Sequence, residues 1–326
     1  MDLSIVIPIY NEEGNLPSLI EQIRLKMNSD CDLRLSWECI LVDDGSQDNS
    51  WHSMHRLTAN DTHFKFIKLR RNSGQTAALA AGIRGAKGNW VATLDGDMQN
   101  DPDDIIPLYR KAQNENWDVV SGWRKNRKDP FLRSQVSKIA NRLVSGISGL
   151  ELNDYGCSMK IYRRSILNKL QLYGEMHRFL PIYASLKGAR VCEMIVNHRA
   201  RESGVSKYGF LRITRVLVDM LIFYFLFHSG KPFQFFMKAA LFILATGLFL
   251  LIIPLFNALS NGWIAFNITA GLILLQTASF FILFGLILEL ILRTHYLTQK
   301  ETQYEIISIV NLESHPDLTL AGPLDN

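Results

Sequence analysis

The sequence predicts an α/β protein with a mostly parallel sheet, followed by two helices long enough to cross a membrane. Over the first 121 residues, short runs rich in β-branched residues alternate with amphipathic stretches, an order typical of parallel sheets flanked by helices. Two uncharged apolar runs follow, Ala239–Phe256 with 18 residues and Trp263–Leu288 with 26. A hydrocarbon core of about 30 Å needs runs of this length. The composition, 48% hydrophobic and 20% charged with four cysteines, excludes disordered and disulfide-scaffold classes.

The predicted elements of the sheet follow one another in a regular order. The strands are the buried runs Ser4–Ile9, Trp37–Val42, Phe64–Leu69, Trp90–Leu94 and Asp118–Ser121. The helices between them extend to about Met27 and then cover Asn49–Thr58, Gly74–Gly85 and Asp103–Asn114. Because each helix connects two strands, the strands are expected to end at one edge of the sheet.

Three of the predicted strands end in acidic or polar turns, which are Tyr10-Asn11-Glu12, Asp43-Asp44-Gly45-Ser46 and Asp95-Gly96-Asp97. Parallel sheets bind ligands at the carboxyl ends of their strands. Two aspartates that flank one glycine suit a Mg²⁺ or Mn²⁺ ion that bridges to a diphosphate. A solvated turn or a helix cap is the alternative for an isolated Asp-x-Asp pair, and the position after a buried strand favours the cation.

Two common classes of phosphate-binding protein are disfavoured. The chain has no Gly-x-Gly-x-x-Gly after its first strand and no Gly-x-x-x-x-Gly-Lys-[Ser/Thr] anywhere. A dinucleotide oxidoreductase and a P-loop NTPase would therefore both lack their usual phosphate loop. The net charge of +4 is too small to indicate nucleic acid as a partner.

The distribution of cations predicts how the apolar runs are oriented. Cations before the first run and after the second are Arg212, Arg215, Lys231, Lys238, Arg293 and Lys300, and the connecting turn has none. The positive-inside rule places both ends in the cytoplasm and the turn outside. The N-terminus lacks the basic leader of a signal peptide, so the first half is expected to stay in the cytoplasm. Two buried helices of a soluble protein are the alternative.

Four regions are predicted along the chain. Residues 1–209 form the α/β domain, 210–232 an amphipathic region at the membrane interface, 233–297 a transmembrane hairpin and 298–326 a C-terminal tail. The interfacial prediction rests on Phe210–His228, where charged and large apolar residues mix. A longer first span is the alternative, and Lys231, Pro232 and Lys238 argue against it.

Several motifs together resemble the nucleotide-sugar glycosyltransferases of family 2, whose catalytic domain is of the GT-A type. They are Ile7-Pro8-Ile9-Tyr10-Asn11-Glu12, Val42-Asp43-Asp44-Gly45-Ser46-Gln47-Asp48, Arg71-Asn72-Ser73-Gly74-Gln75 and Leu94-Asp95-Gly96-Asp97-Met98-Gln99. Within the family, residues 121–124 and 201–208 resemble polyprenyl-phosphate glycosyltransferases, namely the dolichol-phosphate mannosyltransferases and, more closely, the bactoprenol glucosyltransferases. The resemblance covers about residues 1–295.

The resemblance implies roles for individual residues. The nucleoside pocket would contain Pro8, Tyr10, Glu12 and Asp43. The metal and the donor diphosphate would be held by Asp95, Asp97 and Gln99, around Gly96. Donor or acceptor phosphates would be bound by Arg124, Arg133, Arg201 and Lys207. Asp44 would lie behind the site or at the sugar, and Asp154 is a candidate base, a sugar contact or a helix cap.

The chain departs from the family pattern at residue 205, and the position assigned to Arg133 has alternatives. The family often has Gly-Glu-Ser-Lys where this chain has Gly204-Val205-Ser206-Lys207, so no carboxylate can act there. Arg127 or Arg142 could replace Arg133, because the loop after Arg124 varies.

The reaction implied is the inverting, metal-dependent transfer of a sugar from a nucleotide sugar to polyprenyl phosphate at the inner membrane. UDP-glucose is the expected donor, with GDP-mannose and other UDP-sugars as alternatives, and Mg²⁺ or Mn²⁺ is the expected cofactor. A phosphate monoester has a second pKa near about 6 and needs little activation by a base.

Two rival functions remain, and the oligomeric state stays open. A processive polysaccharide synthase would carry a Gln-x-x-Arg-Trp motif, which this chain lacks. A non-catalytic membrane scaffold would not need the acidic and basic clusters. Gln276 and the small residues Gly271, Ala278 and Gly285 permit helix packing in a homo-oligomer.

Overall fold

The computed structural model describes residues 1–29, 35–125, 141, 144–146, 148–168, 172, 176–199, 232–256, 261–298 and 304–312. The chain divides into two compact units, one formed by residues 1–209 with 302–326 and the other by residues 210–301. The first unit contains the sheet and the second contains the apolar helices.

The first unit is built on an eight-stranded mixed sheet with the strand order β7-β5-β6-β4-β1-β2-β3-β8. Its strands are β1 Leu3–Ile9, β2 Trp37–Asp43, β3 Phe64–Leu69, β4 Trp90–Thr93, β5 Val119–Trp123, β6 Lys160–Arg163, β7 Val191–Ile195 and β8 Ile306–Val310. Four pairs are parallel, β1–β2, β1–β4, β2–β3 and β5–β7. Strand β6 runs antiparallel to β4 and β5, and β8 runs antiparallel to β3.

Helices cover the sheet and connect most of its strands. They are α1 Leu16–Ser29, α2 Ser50–Leu57, α3 Gln75–Gly85, α4 Ile105–Asn114, α5 Arg164–Leu167 and α6 Leu180–Leu186, with short 3₁₀ turns at Pro102–Asp104 and Met176–Arg178. Strands β1 and β2 are almost entirely buried, as expected for strands covered on both faces. Helix α3 packs very closely on them, because a Cβ atom at Gly82 would clash with Cγ1 of Val6.

The predicted fold class is confirmed, and the five predicted strands and four predicted helices are present with small differences at their ends. Strands β6, β7 and β8 were not predicted. Strand β6 carries a lysine at its buried end, which interrupts the apolar pattern of a strand. Residues 298–326 were expected only as a tail, although β8 lies within them.

Strand β8 brings the chain back to the sheet after the apolar helices. Tyr304 and Ile306 are buried, and the backbone N–H of Arg70 donates to the carbonyl of Glu305 at 2.9 Å. The guanidinium of Arg84 lies 5.6 Å from the ring centroid of Tyr304. The edge of the sheet beside β3 is therefore completed by residues that follow the apolar unit in sequence.

The second unit consists of two long helices, α7 Pro232–Phe256 and α8 Asn261–Thr298. Their spans Phe233–Pro254 and Trp263–Ile291 are long and apolar enough to cross a membrane. Most of their surface is exposed, which distinguishes them from core helices of a soluble protein. The helices pack closely where Gly271 faces its neighbour, since a Cβ atom there would lie 2.7 Å from Cγ of Leu251. The predicted interfacial residues 210–231 and the turn at 257–260 lie outside the described residues.

A truncation tests the structural role of β8. We expect a chain that ends after Gln303 to lose about 3 kcal/mol or more of stability in the sheet-containing unit, because it loses the buried side chains of Tyr304 and Ile306. A chain that ends after Leu312 keeps β8 and is the matched control. Thermal unfolding of the purified proteins in detergent measures the difference, and equal unfolding midpoints would show that β8 adds nothing.

Candidate active site

The first two strand ends form one interlocked structure. The N–H of Asp44 donates to the carbonyl of Ile9 at 2.8 Å. The N–H of Asn11 donates to Oγ of Ser46 at 3.0 Å, and the N–H of Gln47 donates to Oδ1 of Asn11 at 2.8 Å. The two turns therefore hold each other in place, with Asn11 in the left-handed region at φ 55°.

The predicted nucleoside residues are brought together at this edge. Pro8 pairs with Val42 in the parallel register of β1 and β2, and the next pair ends at Asp43. Tyr10 and Glu12 follow on the adjoining turn, where both are half-buried. The carboxylate of Glu12 accepts from the side chain of Asn15 at 2.5 Å.

Asp43 has an unusual hydrogen-bonding state. Its side chain is fully buried at the end of β2. Its Oδ1 accepts from the N–H of Ser46 at 2.9 Å, whereas Oδ2 has no partner among the residues that the structure describes. A buried oxygen in this state needs a donor, because leaving it desolvated costs about 1–3 kcal/mol.

Asp44 organises the neighbouring loop. Its two carboxylate oxygens accept from the N–H groups of Ser73 at 2.7 Å and Gly74 at 3.0 Å. Burial raises the pKa of Asp44, although these two backbone donors act in the opposite direction. Gly45 adopts φ 69°, and a Cβ atom there would lie 2.6 Å from the carbonyl carbon of Arg71. The Asp44-Gly45 turn thus locks the loop that leads into α3.

The Asp95-Gly96-Asp97 turn follows β4 and meets the end of β1. A Cβ atom at Gly96 would lie 2.8 Å from Cδ1 of Ile9, so a side chain there would displace the end of the isoleucine. Oδ1 of Asp95 accepts from the side-chain amide of Gln75 at 2.7 Å. Burial raises the pKa of Asp95, and the charge of Asp97 raises it further. Two carboxylates that disfavour each other's charge fit a cation that would bind between them.

Few side chains at the Asp95-Gly96-Asp97 turn could bind the predicted metal ion. Among the described residues, no group of three or more His, Cys, Asp and Glu side chains could hold a metal ion. Asp95 and Asp97 would supply two carboxylates, and a diphosphate would complete the coordination. Gln99 lies on the same turn, where its N–H donates to Oδ1 of Asp97 at 3.2 Å and its carbonyl accepts from the N–H of Arg199 at 2.9 Å.

Arg124 and Asp154 form a buried ion pair beside these carboxylates. Nε of Arg124 donates to Oδ2 of Asp154 at 2.7 Å, and Nη2 donates to Oδ1 at 3.0 Å. The two side chains are only 9% and 8% exposed. Although burial lowers it, the hydrogen bonds and charge of Asp154 raise the pKa of Arg124 above its usual value. Asp154 was expected to be a base, a sugar contact or a helix cap, and this geometry adds a fourth role, that of a structural partner of the arginine.

Three residues near the site, Lys160, Gln75 and Thr76, were not among the predicted site residues. Nζ of buried Lys160 donates to the carbonyls of Cys157 and Tyr155, and burial lowers its pKa. The side-chain amide of Gln75 donates to Oδ1 of Asp95. Oγ1 of the next residue, Thr76, lies 2.7 Å from Nδ1 of His177. The motif that contains Gln75 was available as a signal, whereas Lys160 has no recognisable motif.

Three of the predicted phosphate-binding cations, Arg133, Arg201 and Lys207, lie outside the described residues. The described segment before Arg201 ends at Arg199, whose N–H donates to the carbonyl of Gln99 beside the acidic turn. The guanidinium of Arg199 pairs with Asp101 at 2.6 Å, in addition to its backbone bond to Gln99.

Comparison with known proteins identifies the class to which this fold and site belong. Residues 4–171 match Glycosyl transferase family 2, and the chain belongs to this family. It is 39% identical to dodecaprenyl-phosphate galacturonate synthase of Rhizobium johnstonii over 322 residues, which cover 96% of this chain and 94% of the relative. It is 40% identical to undecaprenyl-phosphate 4-deoxy-4-formamido-L-arabinose transferase of Salmonella choleraesuis over 220 residues, 67% of this chain and 66% of the relative.

Solved structures confirm the GT-A fold. Glucosyl-3-phosphoglycerate synthase from Mycobacterium tuberculosis, in complex with Mn²⁺ and UDP-glucose, has a TM-score of 0.53 at 17% identity and covers 68% of this chain and 78% of its own. Mannosyl-3-phosphoglycerate synthase from Rubrobacter xylanophilus has a TM-score of 0.54 at 14% identity, with coverages of 69% and 74%.

The protein is accordingly a glycosyltransferase, and the two relatives named above are polyprenyl-phosphate glycosyltransferases. The resemblance found in the sequence is therefore confirmed. The expected donor UDP-glucose is not supported, because neither relative's name contains glucose.

A substitution at Gly45 tests the lock between the turn and the loop. We expect Gly45→Ala to lower the free energy of unfolding by about 1–3 kcal/mol, because the positive φ and the approach of Arg71 both oppose a side chain. Gly14→Ala is the control, since a Cβ atom there meets nothing within 4 Å. Urea unfolding of both variants measures the difference, and equal losses would contradict the lock.

Proposed function

We propose that this protein transfers a sugar from a uridine diphosphate sugar to polyprenyl phosphate, with inversion and with a divalent cation. The observation that carries the proposal is the convergence of three features at the carboxyl edge of the sheet. They are the unsatisfied oxygen of Asp43, the Asp95–Asp97 pair and the buried guanidinium of Arg124. The base of a nucleotide sugar would match the first feature, its diphosphate leaving group would match the second through a cation, and the meeting of donor and acceptor phosphates would match the third.

The state of Asp43 supports uridine as the nucleoside. Oδ1 accepts from the N–H of Ser46, and Oδ2 is the oxygen that lacks a donor among the described residues. Uracil offers one imide N–H that would supply this donor. The two adjacent N–H donors of guanine pair best with both oxygens of one carboxylate, so the state of Asp43 favours a UDP-sugar over GDP-mannose.

The relatives support a sugar other than glucose. One is named for galacturonate and the other for 4-deoxy-4-formamido-L-arabinose. D-Galacturonate and L-arabinose share the same arrangement of substituents around the pyranose ring and differ mainly in the carbon outside it. We therefore expect a galacto-configured donor sugar in place of the glucose first predicted.

The residues of the site can meet the demands of this reaction. Asp95, Asp97 and Gln99 would hold Mg²⁺ or Mn²⁺, which would offset negative charge on the departing diphosphate. Arg124 would offset the repulsion between donor and acceptor phosphates, together with Arg133, Arg201 and Lys207. The acceptor phosphate is largely a dianion at neutral pH, given its second pKa near about 6. The reaction therefore needs no side chain to remove a proton.

The return of the chain to the sheet supports the predicted membrane topology. Strands β7 and β8 belong to one sheet, although α7 and α8 lie between them in sequence. Two crossings would return the chain to the side from which it left. The cations that flank both helices favour the cytoplasm as that side.

Transfer into lipid tests the proposed function. The purified full chain is incubated with polyprenyl phosphate, Mn²⁺ and a panel of UDP- and GDP-sugars, and the organic-extractable product is measured. We expect one galacto-configured UDP-sugar to be transferred most rapidly. A polymeric product would indicate a synthase, and the absence of transfer with every donor would overturn the proposal.

Substitutions in the acidic turn test the cation site. We expect Asp97→Ala and Asp95→Ala to reduce transfer by about 100-fold or more, and EDTA to act likewise until metal is restored. Asp103→Ala is the control, because that side chain is 67% exposed on the same connection. Near-normal activity of either site variant at saturating Mn²⁺ would exclude its role as a ligand.

Protease accessibility tests the topology. A tag placed after Asn326 should be cleaved only in inside-out vesicles, and a cleavage site inserted between residues 257 and 262 only in right-side-out vesicles. Cleavage of the C-terminal tag from the outside would overturn the two-crossing arrangement.

A further inference from the structure

Glu193 holds a loop of the candidate site from the neighbouring strand. It lies on β7, opposite Ser121 of β5 in the parallel register. Its carboxylate oxygens lie 2.8 and 2.9 Å from the backbone nitrogen of Asn153, which donates to them. The side-chain amide of Asn153 donates at 2.8 Å and the N–H of Asp154 at 3.0 Å. One carboxylate therefore binds three N–H groups of two consecutive residues.

The loop that Glu193 holds carries the partner of Arg124. Oδ1 of Asp154 accepts from Nη2 of Arg124 at 3.0 Å and from the N–H of Gly156 at 3.1 Å. Oδ2 accepts from Nε of Arg124 at 2.7 Å and from its backbone N–H at 3.3 Å. An ionised carboxylate has about four acceptor positions, and these four donors occupy them.

Because these four positions are occupied, Asp154 is better suited to fix Arg124 than to act as a general base. A general base must accept a proton at an oxygen that faces the substrate. Asp154 would have to release part of its pairing with Arg124 to do so, which would leave a buried guanidinium without all of its acceptors. The contacts therefore favour a carboxylate that fixes the guanidinium over one that removes a proton.

We propose that Glu193 and Asp154 are positioning residues for the catalytic Arg124, and that Glu193 acts on it through Asp154. Glu193 fixes the backbone at Asp154, and Asp154 fixes the plane of the guanidinium beside Asp95 and Asp97. The connection joins three segments that are distant in sequence: the end of β5, the loop before β6 and the middle of β7. The catalytic part of this proposal rests on the proposed function, whereas the positioning part does not.

A double-mutant cycle tests the catalytic part. We expect Glu193→Ala to lower kcat about tenfold in the parental protein but less than about twofold in an Arg124→Met background, because its effect passes through the arginine. The Kd of UDP with Mn²⁺ should change less than about twofold in Glu193→Ala. Glu151→Ala, which removes an exposed carboxylate from the same region, is the control and should leave kcat unchanged. Equal losses of kcat in both backgrounds would overturn the serial arrangement.

The pH profile separates positioning from base catalysis. If Asp154 only positions Arg124, Asp154→Asn should lower kcat while the shape of the pH–rate profile stays parental. A new, continuous rise of kcat with pH in this variant would mean that a base had been removed, and it would contradict the proposal.

Hydrogen–deuterium exchange tests positioning without depending on activity. Glu193→Ala should increase exchange at Asn153 and Asp154, since both N–H groups lose their acceptor, and Glu151→Ala should not. Unchanged protection would overturn the positioning role. If the parental protein transfers no sugar, the proposed function fails, and exchange still decides whether Glu193 fixes the loop.

Discussion

The concentration of carboxylates at the carboxyl edge of the sheet is the constraint on which the site depends. Four aspartates, Asp43, Asp44, Asp95 and Asp97, follow two strands that are both paired with β1. The environments of these four carboxylates differ. Asp44 is satisfied by backbone donors, Asp43 keeps one unsatisfied oxygen, and the Asp95–Asp97 pair has a raised pKa at Asp95 caused by burial and by its neighbour. The states of Asp43 and the Asp95–Asp97 pair both fit a ligand that brings N–H donors and positive charge.

Two cationic side chains lie near these aspartates, and each is fixed by partners of its own. The side chains of Arg124 and Lys160 are 9% exposed and buried, respectively, and both lower the pKa of Asp95 through their charge. Each has fixed partners, Asp154 for the arginine and two backbone carbonyls for the lysine. The site is thus preorganised, and charge that develops during transfer would meet dipoles and cations that do not need to reorient.

The local elements of the fold could be predicted because their signals are local. The β-branched runs, the Asp-Gly-Asp turn and the two uncharged runs each depend on residues close together in the sequence. Strand β8 has a local signal in the β-branched run Ile306–Val310, but its pairing with β3, far away in the chain, leaves no mark in the sequence. The contacts of Glu193 with Asp154, and of Asp154 with Arg124, depend on the same long-range geometry. Lys160 was missed because a buried lysine is explained only by the carbonyls around it.

Anomalous diffraction from crystals grown with Mn²⁺ and UDP tests the central claim most directly, which is that the three strand ends form one donor site. The account predicts a manganese peak within coordination distance of Asp95 and Asp97 that bridges to the diphosphate, with the uracil imide facing Oδ2 of Asp43. A manganese peak elsewhere, or a base bound away from Asp43, would contradict it.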